Sequence, residues 1–158
     1  MTDILIDTNI LMHANNTKER TQPICVDLIN YLVSSTEMIC IDESIDINIS
    51  MILHEYCENL KTPGTTGRNF IEKILKQKRF KPISRQVEHR VAKIINQHID
   101  RNEHVDKIFV KITYKSNDKT FVSHDFKDFR DSKRVYFKSS LDINILTAND
   151  ILRTINIQ

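Results

Sequence analysis

Glycine is nearly absent from this chain. Its 158 residues hold two, Gly64 and Gly67, both inside TPGTTG (62–67), which reads as a loop and leaves no glycine-rich phosphate loop elsewhere. Cysteine is scarce too: Cys25, Cys40 and Cys57 are odd in number, widely spaced and without a C-x-x-C pair. That pattern makes a poor disulfide or zinc framework and reads as three reduced, buried thiols of a cytosolic chain. Long apolar runs are missing, since nothing approaches the roughly 18 residues of a membrane span. The opening MTDILIDTNIL carries Asp3 and Asp7 where a secretion signal would need unbroken apolar residues, so no signal is expected. Repeats, low-complexity segments and linkers are not visible. With 40% apolar and 28% charged residues, the composition is that of a folded, soluble chain. The expectation is a single cytoplasmic domain over 1–158, with no membrane partner.

The formal net charge of +2 hides an uneven distribution. Residues 61–101 hold eleven Lys/Arg against three Asp/Glu, whereas residues 1–60 hold two against ten. A basic block of this kind can attract a polyanion, or can be the solvated face of surface helices.

Short apolar runs alternate with helical patterns. DILI (3–6), EMICID (37–42), TFVS (120–123) and INIL (143–146) read as strands, and RVYF (134–137) is a further candidate. Helical spacing predicts helices over 21–35, 69–80, 84–99, 105–116 and 147–155. Another is predicted from Ser44 to Leu60, with Ile45, Ile49, Ile52, Leu53, Tyr56 and Leu60 on one stripe. This alternation predicts an α/β fold with a mainly parallel sheet, whose functional groups gather beyond the carboxyl ends of the strands. Residues 61–101 are expected to form a basic helical insert.

Asp7 directly follows ILI, and Asp125 comes two residues after Ser123 at the end of TFVS. Glu55 interrupts an apolar stretch, Asp106 stands at the start of a predicted helix, and Asp128 shares the loop SHDFKDF with Asp125. Singly, each has an ordinary reading: Asp7 and Asp106 as helix caps, Glu55 as a solvated helix residue, Asp125 as a turn former. Together they suggest carboxylates that would repel one another unless a cation neutralised them. Mg²⁺ and Mn²⁺ favour such all-oxygen surroundings.

These segments carry a family resemblance. ILIDTNILMHA, with Asp7-Thr8-Asn9, resembles the opening strand and loop of the PIN domain nucleases, and FVSHDFKDF resembles their later strand-plus-loop motif. Glu55 in ILHEYCENL, Asp106 before the last motif, and the closing DINILTANDIL match in order, so the likeness spans the chain outside residues 61–101. The resemblance implies a Rossmann-like three-layer α/β/α sandwich with four or five parallel strands, and a Mg²⁺- or Mn²⁺-dependent endonuclease acting mostly on RNA, or on single-stranded DNA. Carried over, Asp7, Glu55, Asp106 and Asp125 are the catalytic, metal-binding acids and Asp128 an auxiliary one, with Asn9 and Ser123 positioning the site. Water activated by metal would attack in line, leaving a 5′-phosphate and a 3′-hydroxyl. A toxin of a toxin–antitoxin pair, a defence effector and a processing enzyme all fit this frame, as do an antitoxin or regulatory partner and a homodimer. The rival from another class is a catalytically inactive PIN-like module that binds RNA or protein.

The chain departs from the pattern in places. Ser123 replaces the usual Thr, His124 stands where it could approach a metal or phosphate, and Glu58 and Glu103 compete with Glu55 and Asp106. Other motifs fail. The His124-Asp125 pair follows a strand, unlike the all-helical HD phosphohydrolases; Asn9 cannot serve as the general acid of a D-x-D phosphatase; and His54-Glu55 lacks the second His of H-E-x-x-H. In KILKQKRFKPISR, the cations Lys76, Lys78, Arg79, Lys81 and Arg85 are candidates for nucleic-acid contact, or the solvated end of a helix.

Overall fold

The structure, a computed structural model, describes residues 1–156. Its centre is a parallel five-stranded sheet in the order β3-β2-β1-β4-β5. The strands are β1 (Asp3–Ile6), β2 (Met38–Asp42), β3 (Phe80–Ile83), β4 (Thr120–Val122) and β5 (Asn144–Leu146). Parallel strands are covered on both faces, so they need continuous apolar runs rather than alternation. ILI of β1, ICI of β2 and FV of β4 supply these and are fully buried.

Helices fill both faces of a Rossmann-like three-layer sandwich. Helices α1 (Thr8–Asn15), α2 (Gln22–Ser34), α4 (Thr66–Lys76) and α8 (Ala148–Asn156) pack among themselves. Helix α6 (His104–Lys115) lies across β1, β2 and β4, flanked by α3 (Met51–Asn59) and α5 (His89–His98), and α7 (Asp131–Leu141) packs on β5. Among the described residues, no helix is long and apolar enough to cross a membrane.

Three elements differ from the sequence reading. FKPI, expected as the last residue of the 69–80 helix and the break before the helix from 84, is the edge strand β3, so the basic segment is not wholly helical but completes the sheet. Pro82 has no N–H to donate, which an edge strand tolerates and a central strand does not. RVYF is not a strand: it lies inside α7, where Phe137 and Leu141 are buried four residues apart. The helix expected from Ser44 begins only at Met51. Buried Asp42 accepts from Ser50 Oγ (2.6 Å) and from the amides of Met51 (3.0 Å) and Ile52 (2.8 Å), fixing the start there. Ser50 in turn caps through Leu53 N (3.0 Å), leaving Ile45 and Ile49 exposed in a loop.

The cysteines are free, with Cys25 and Cys40 buried and Cys57 half-buried.

Candidate metal centre

The chain runs from β1 outward through β2 to β3, then returns to the other side of β1 for β4 and β5. A crevice opens at such a reversal, beyond the carboxyl ends of β1 and β4. Asp7 and the segment 123–125 leave those two strand ends side by side, and the Asp7 N–H donates to Val122 O (2.9 Å).

Asp7 is only 7% exposed. It caps α1, accepting weakly from Asn9 N (3.3 Å), so the capping role and a site role coincide in one residue. Its Oδ2 accepts from Ser123 Oγ (2.6 Å) and Asn9 Nδ2 (2.7 Å). Asn9 Oδ1 accepts the His124 N–H (3.1 Å), and Ser123 Oγ accepts the Asp125 N–H (3.0 Å). Asn9 and Ser123 thus join the two strand ends through one short network. Burial raises the pKa of Asp7 to about 6, against the hydrogen bonds from Ser123 and Asn9, and the charge of Asp125 adds to the rise. Thr8 Oγ1, one residue on, is buried without a partner among the described residues.

The loop after β4 is held in a turn by its own acid. Asp125 Oδ1 accepts the amides of Lys127 (2.8 Å) and Asp128 (2.9 Å). Sequence reasoning missed the residue that locks this loop from behind. Arg134 donates to the carbonyls of Phe129, Ile145 (3.1 Å) and Ser123 (3.1 Å), with the Phe126 ring 4.6 Å from its guanidinium carbon. Nothing local in RVYF signals this role, which exists only because that segment is helical.

Helix α6 brings the third group. The carboxylates of Glu103, Asp106 and Asp128 lie within 4.8 Å of one another, and none forms an ion pair among the described residues. Asp106 is raised to about 7, by burial first and then by the charges of Asp7, Asp128, Glu103 and Asp125. Asp128 is raised as well, by burial and by Asp125 and Glu103, while Lys127 and Lys133 pull the other way. Glu103, weighed in the sequence as a competitor of Asp106, instead stands beside it.

Glu55 is half-buried on α3 and shares a cavity with Val105, the residue before Asp106, but joins no such close group among the described residues. Glu58 is exposed and paired with Lys61 (2.9 Å). Tyr56 anchors this helix near the site, its hydroxyl donating to Ile6 O just before Asp7. Asp42 also ends a strand, but its carboxylate is committed to three donors of the α3 start and to Arg85 (3.2 Å).

His124 turns elsewhere. Its Nε2 accepts the Ala148 N–H (3.1 Å), so its proton sits on Nδ1, facing Cys25 Sγ at 3.6 Å. Burial, with the charges of His13 and Arg134, lowers its pKa to about 4, and burial lifts the Cys25 thiol to about 11. His13, Cys25 and His124 converge within 4.8 Å, but this tautomer leaves His124 no lone pair for a metal.

Three of the five nominated cations are engaged within the fold. Arg79 donates to the carbonyls of Leu32 and Ser35 at the end of α2, Lys81 pairs with buried Asp3, and Arg85 reaches Asp42, Glu43 and Ile49 O. Lys76 and Lys78 are exposed.

No family model matches the chain, and no curated protein matches it. The chemistry of the donor set is plain nonetheless. Carboxylates from three segments, the end of β1, the start of α6 and the loop after β4, gather at the switch point, and among the described residues no ion pair engages Glu103, Asp106 or Asp128, an all-oxygen arrangement that suits a hard divalent cation.

Proposed function

We propose that the chain is a PIN-like nuclease that hydrolyses phosphodiester bonds of RNA with Mg²⁺ or Mn²⁺. The observation that carries this reading is the convergence of the Glu103, Asp106 and Asp128 carboxylates within 4.8 Å of one another, on the side of the sheet where Asp7 and Asp125 follow the carboxyl ends of β1 and β4. Asp7, Asp106, Asp125 and Asp128 would hold the cation, with Glu103 beside them, and Glu55 would bound the site from α3. When bound, the ion supplies Lewis-acid polarisation of the phosphoryl oxygens and lowers the pKa of water.

The protein's part is orientation. Ser123 and Asn9 fix Asp7 Oδ2 from two directions, and the amides of Lys127 and Asp128 hold Asp125 through its Oδ1 alone. Arg134 keeps the 123–129 loop from sagging away from β5. Preorganised acids of this kind need no rearrangement when charge develops on the phosphate.

The test is cleavage of a fluorescent single-stranded RNA and a matching DNA, with Mn²⁺, Mg²⁺ or EDTA. Cutting of RNA that needs the metal and falls at least about 100-fold in Asp7→Asn is expected. Cutting that survives in EDTA, or in Asp7→Asn, refutes the assignment. RNA binding without cutting by the wild type would instead identify a binding module.

A further inference from the structure

An open cavity of about 590 Å³ adjoins the acidic centre and is not accounted for by it. Its wall is continuous with the centre through Asp128, and the α7 side carries Lys127, Arg130 and Lys133. No ion pair engages these three cations among the described residues. His98 at the end of α5 and Tyr136, three residues after Lys133 on α7, also line the cavity, stacked with ring centroids 3.8 Å apart and planes 21° from parallel. His98 Nδ1 donates to Ile94 O (3.0 Å), which fixes that ring against its helix. The one other acid in the wall is Asp100, so the cations outnumber the acids three to two.

Three cations lining one cavity with a half-exposed aromatic stack suit a ligand with repeated phosphates and flat rings. That is a single nucleic-acid strand: the cations follow the backbone, and the stack supports a base whatever its identity. The volume lies within the roughly 300–1,000 Å³ of ordinary ligand sites. Resting on the nuclease reading above, we infer that a single strand of RNA lies in this cleft as it leaves the acidic centre. Lys127, Arg130 and Lys133 hold its phosphates, and a base stacks on Tyr136 and His98. The track therefore runs along α7 rather than along the 76–85 segment, where Arg79, Lys81 and Arg85 already bond within the fold.

The chain has no tryptophan, so Tyr136→Trp puts a lone indole in the cleft. Titration with an unlabelled 12-nucleotide RNA in EDTA, which prevents cleavage, is expected to quench that indole. In parallel, anisotropy of a labelled RNA compares the wild type with a Lys127→Ala/Arg130→Ala/Lys133→Ala variant of unchanged circular dichroism. The triple variant is expected to bind at least about 10-fold more weakly. Its slope of log affinity on log salt should be shallower by about 2, as removal of three phosphate contacts on a single strand requires. An unquenched indole with binding intact overturns the cleft, as does a triple variant that binds like the wild type, or a wild type that binds no RNA. So does loss of affinity in Lys76→Ala/Lys78→Ala alone. A wild type that binds through the cleft but cuts nothing with Mn²⁺ removes the nuclease and leaves the cleft; cutting with an unchanged KM in the triple variant does the reverse.

Discussion

Two aspartates, Asp3 on β1 and Asp106 on α6, illustrate how position decides the fate of a carboxylate. Asp3, at the amino end, is 1% exposed, yet it is ion-paired with Lys81 and accepts the amides of Asn117 and Asp118 (each 3.0 Å). Burial alone would raise its pKa, but Lys81 and the two amides outweigh that and hold it below the ordinary value. Asp106, near the carboxyl end, has acids where Asp3 has donors, and stays protonated to about pH 7. The unfolded chain releases that proton near the ordinary 3.8. Between these values the folded state binds more protons than the unfolded one, so the contribution of Asp106 to stability declines as pH rises through the window and stays low above it. Asp106→Asn, neutral at every pH, should therefore stabilise the cation-free protein at pH 8 by about 1–2 kcal/mol, or about 3–6 °C in Tm. Thermal melts in EDTA should show this gain shrinking toward pH 5, while RNA cleavage is lost. A variant that melts below the wild type at pH 8 would mean that Asp106 has a favourable partner in the fold and does not belong to a repelling cluster.

At the scale of elements, helix α4 reaches α1 only because residue 67 has no side chain. A Cβ there would lie 2.8 Å from Leu11 O and 3.1 Å from Leu60 Cδ2, while the Gly67 N–H donates to Asn15 Oδ1 (2.7 Å). Alanine gains about 1 kcal/mol in helix propensity, but a backbone oxygen cannot give way as a side-chain tip can. Gly67→Ala should cost about 1–3 kcal/mol net, read as a lower urea midpoint with an unchanged m value. An unaltered midpoint would show that α4 shifts freely over α1. The same scale shows which elements were legible. The runs ILI, ICI and FV announced β1, β2 and β4 because strands buried on both faces have nothing polar to dilute the pattern. β3 was hidden because an edge strand keeps Lys81 beside Pro82 and shows no apolar run. RVYF looked like a strand through Val135 and its aromatics, but Val135 is 69% exposed and only Phe137 of the four is buried, a helical spacing of contacts set by tertiary packing. Asp7, Asn9, Ser123 and Asp125 were readable because each sits within three residues of a strand end. Arg134 and the α7 cleft were not, since their meaning depends on how α5, α7 and the 123–129 loop come together.

Across the whole molecule, the sheet is polarised. Its amino end carries an acid with all its donors, and its carboxyl end gathers acids whose mutual repulsion works against folding. A cation that binds only the folded arrangement converts that repulsion into stability by mass action, by about 2.7 kcal/mol when its concentration is 100 times Kd. Protons compete for the same oxygens, and Asp7 and Asp106, raised to about 6 and about 7, take them up just below neutrality. Added Mn²⁺ should therefore raise Tm by about 5–10 °C at pH 8 and by clearly less at pH 6, with no shift in an Asp7→Asn/Asp106→Asn double variant. The opposite ordering, or an equal shift in the double variant, would place the cation on other acids, of which the exposed Glu58 and Asp142 are examples. Thermal melts at the two pH values decide this without any substrate, so the cation site stands or falls independently of whether the right RNA has been found.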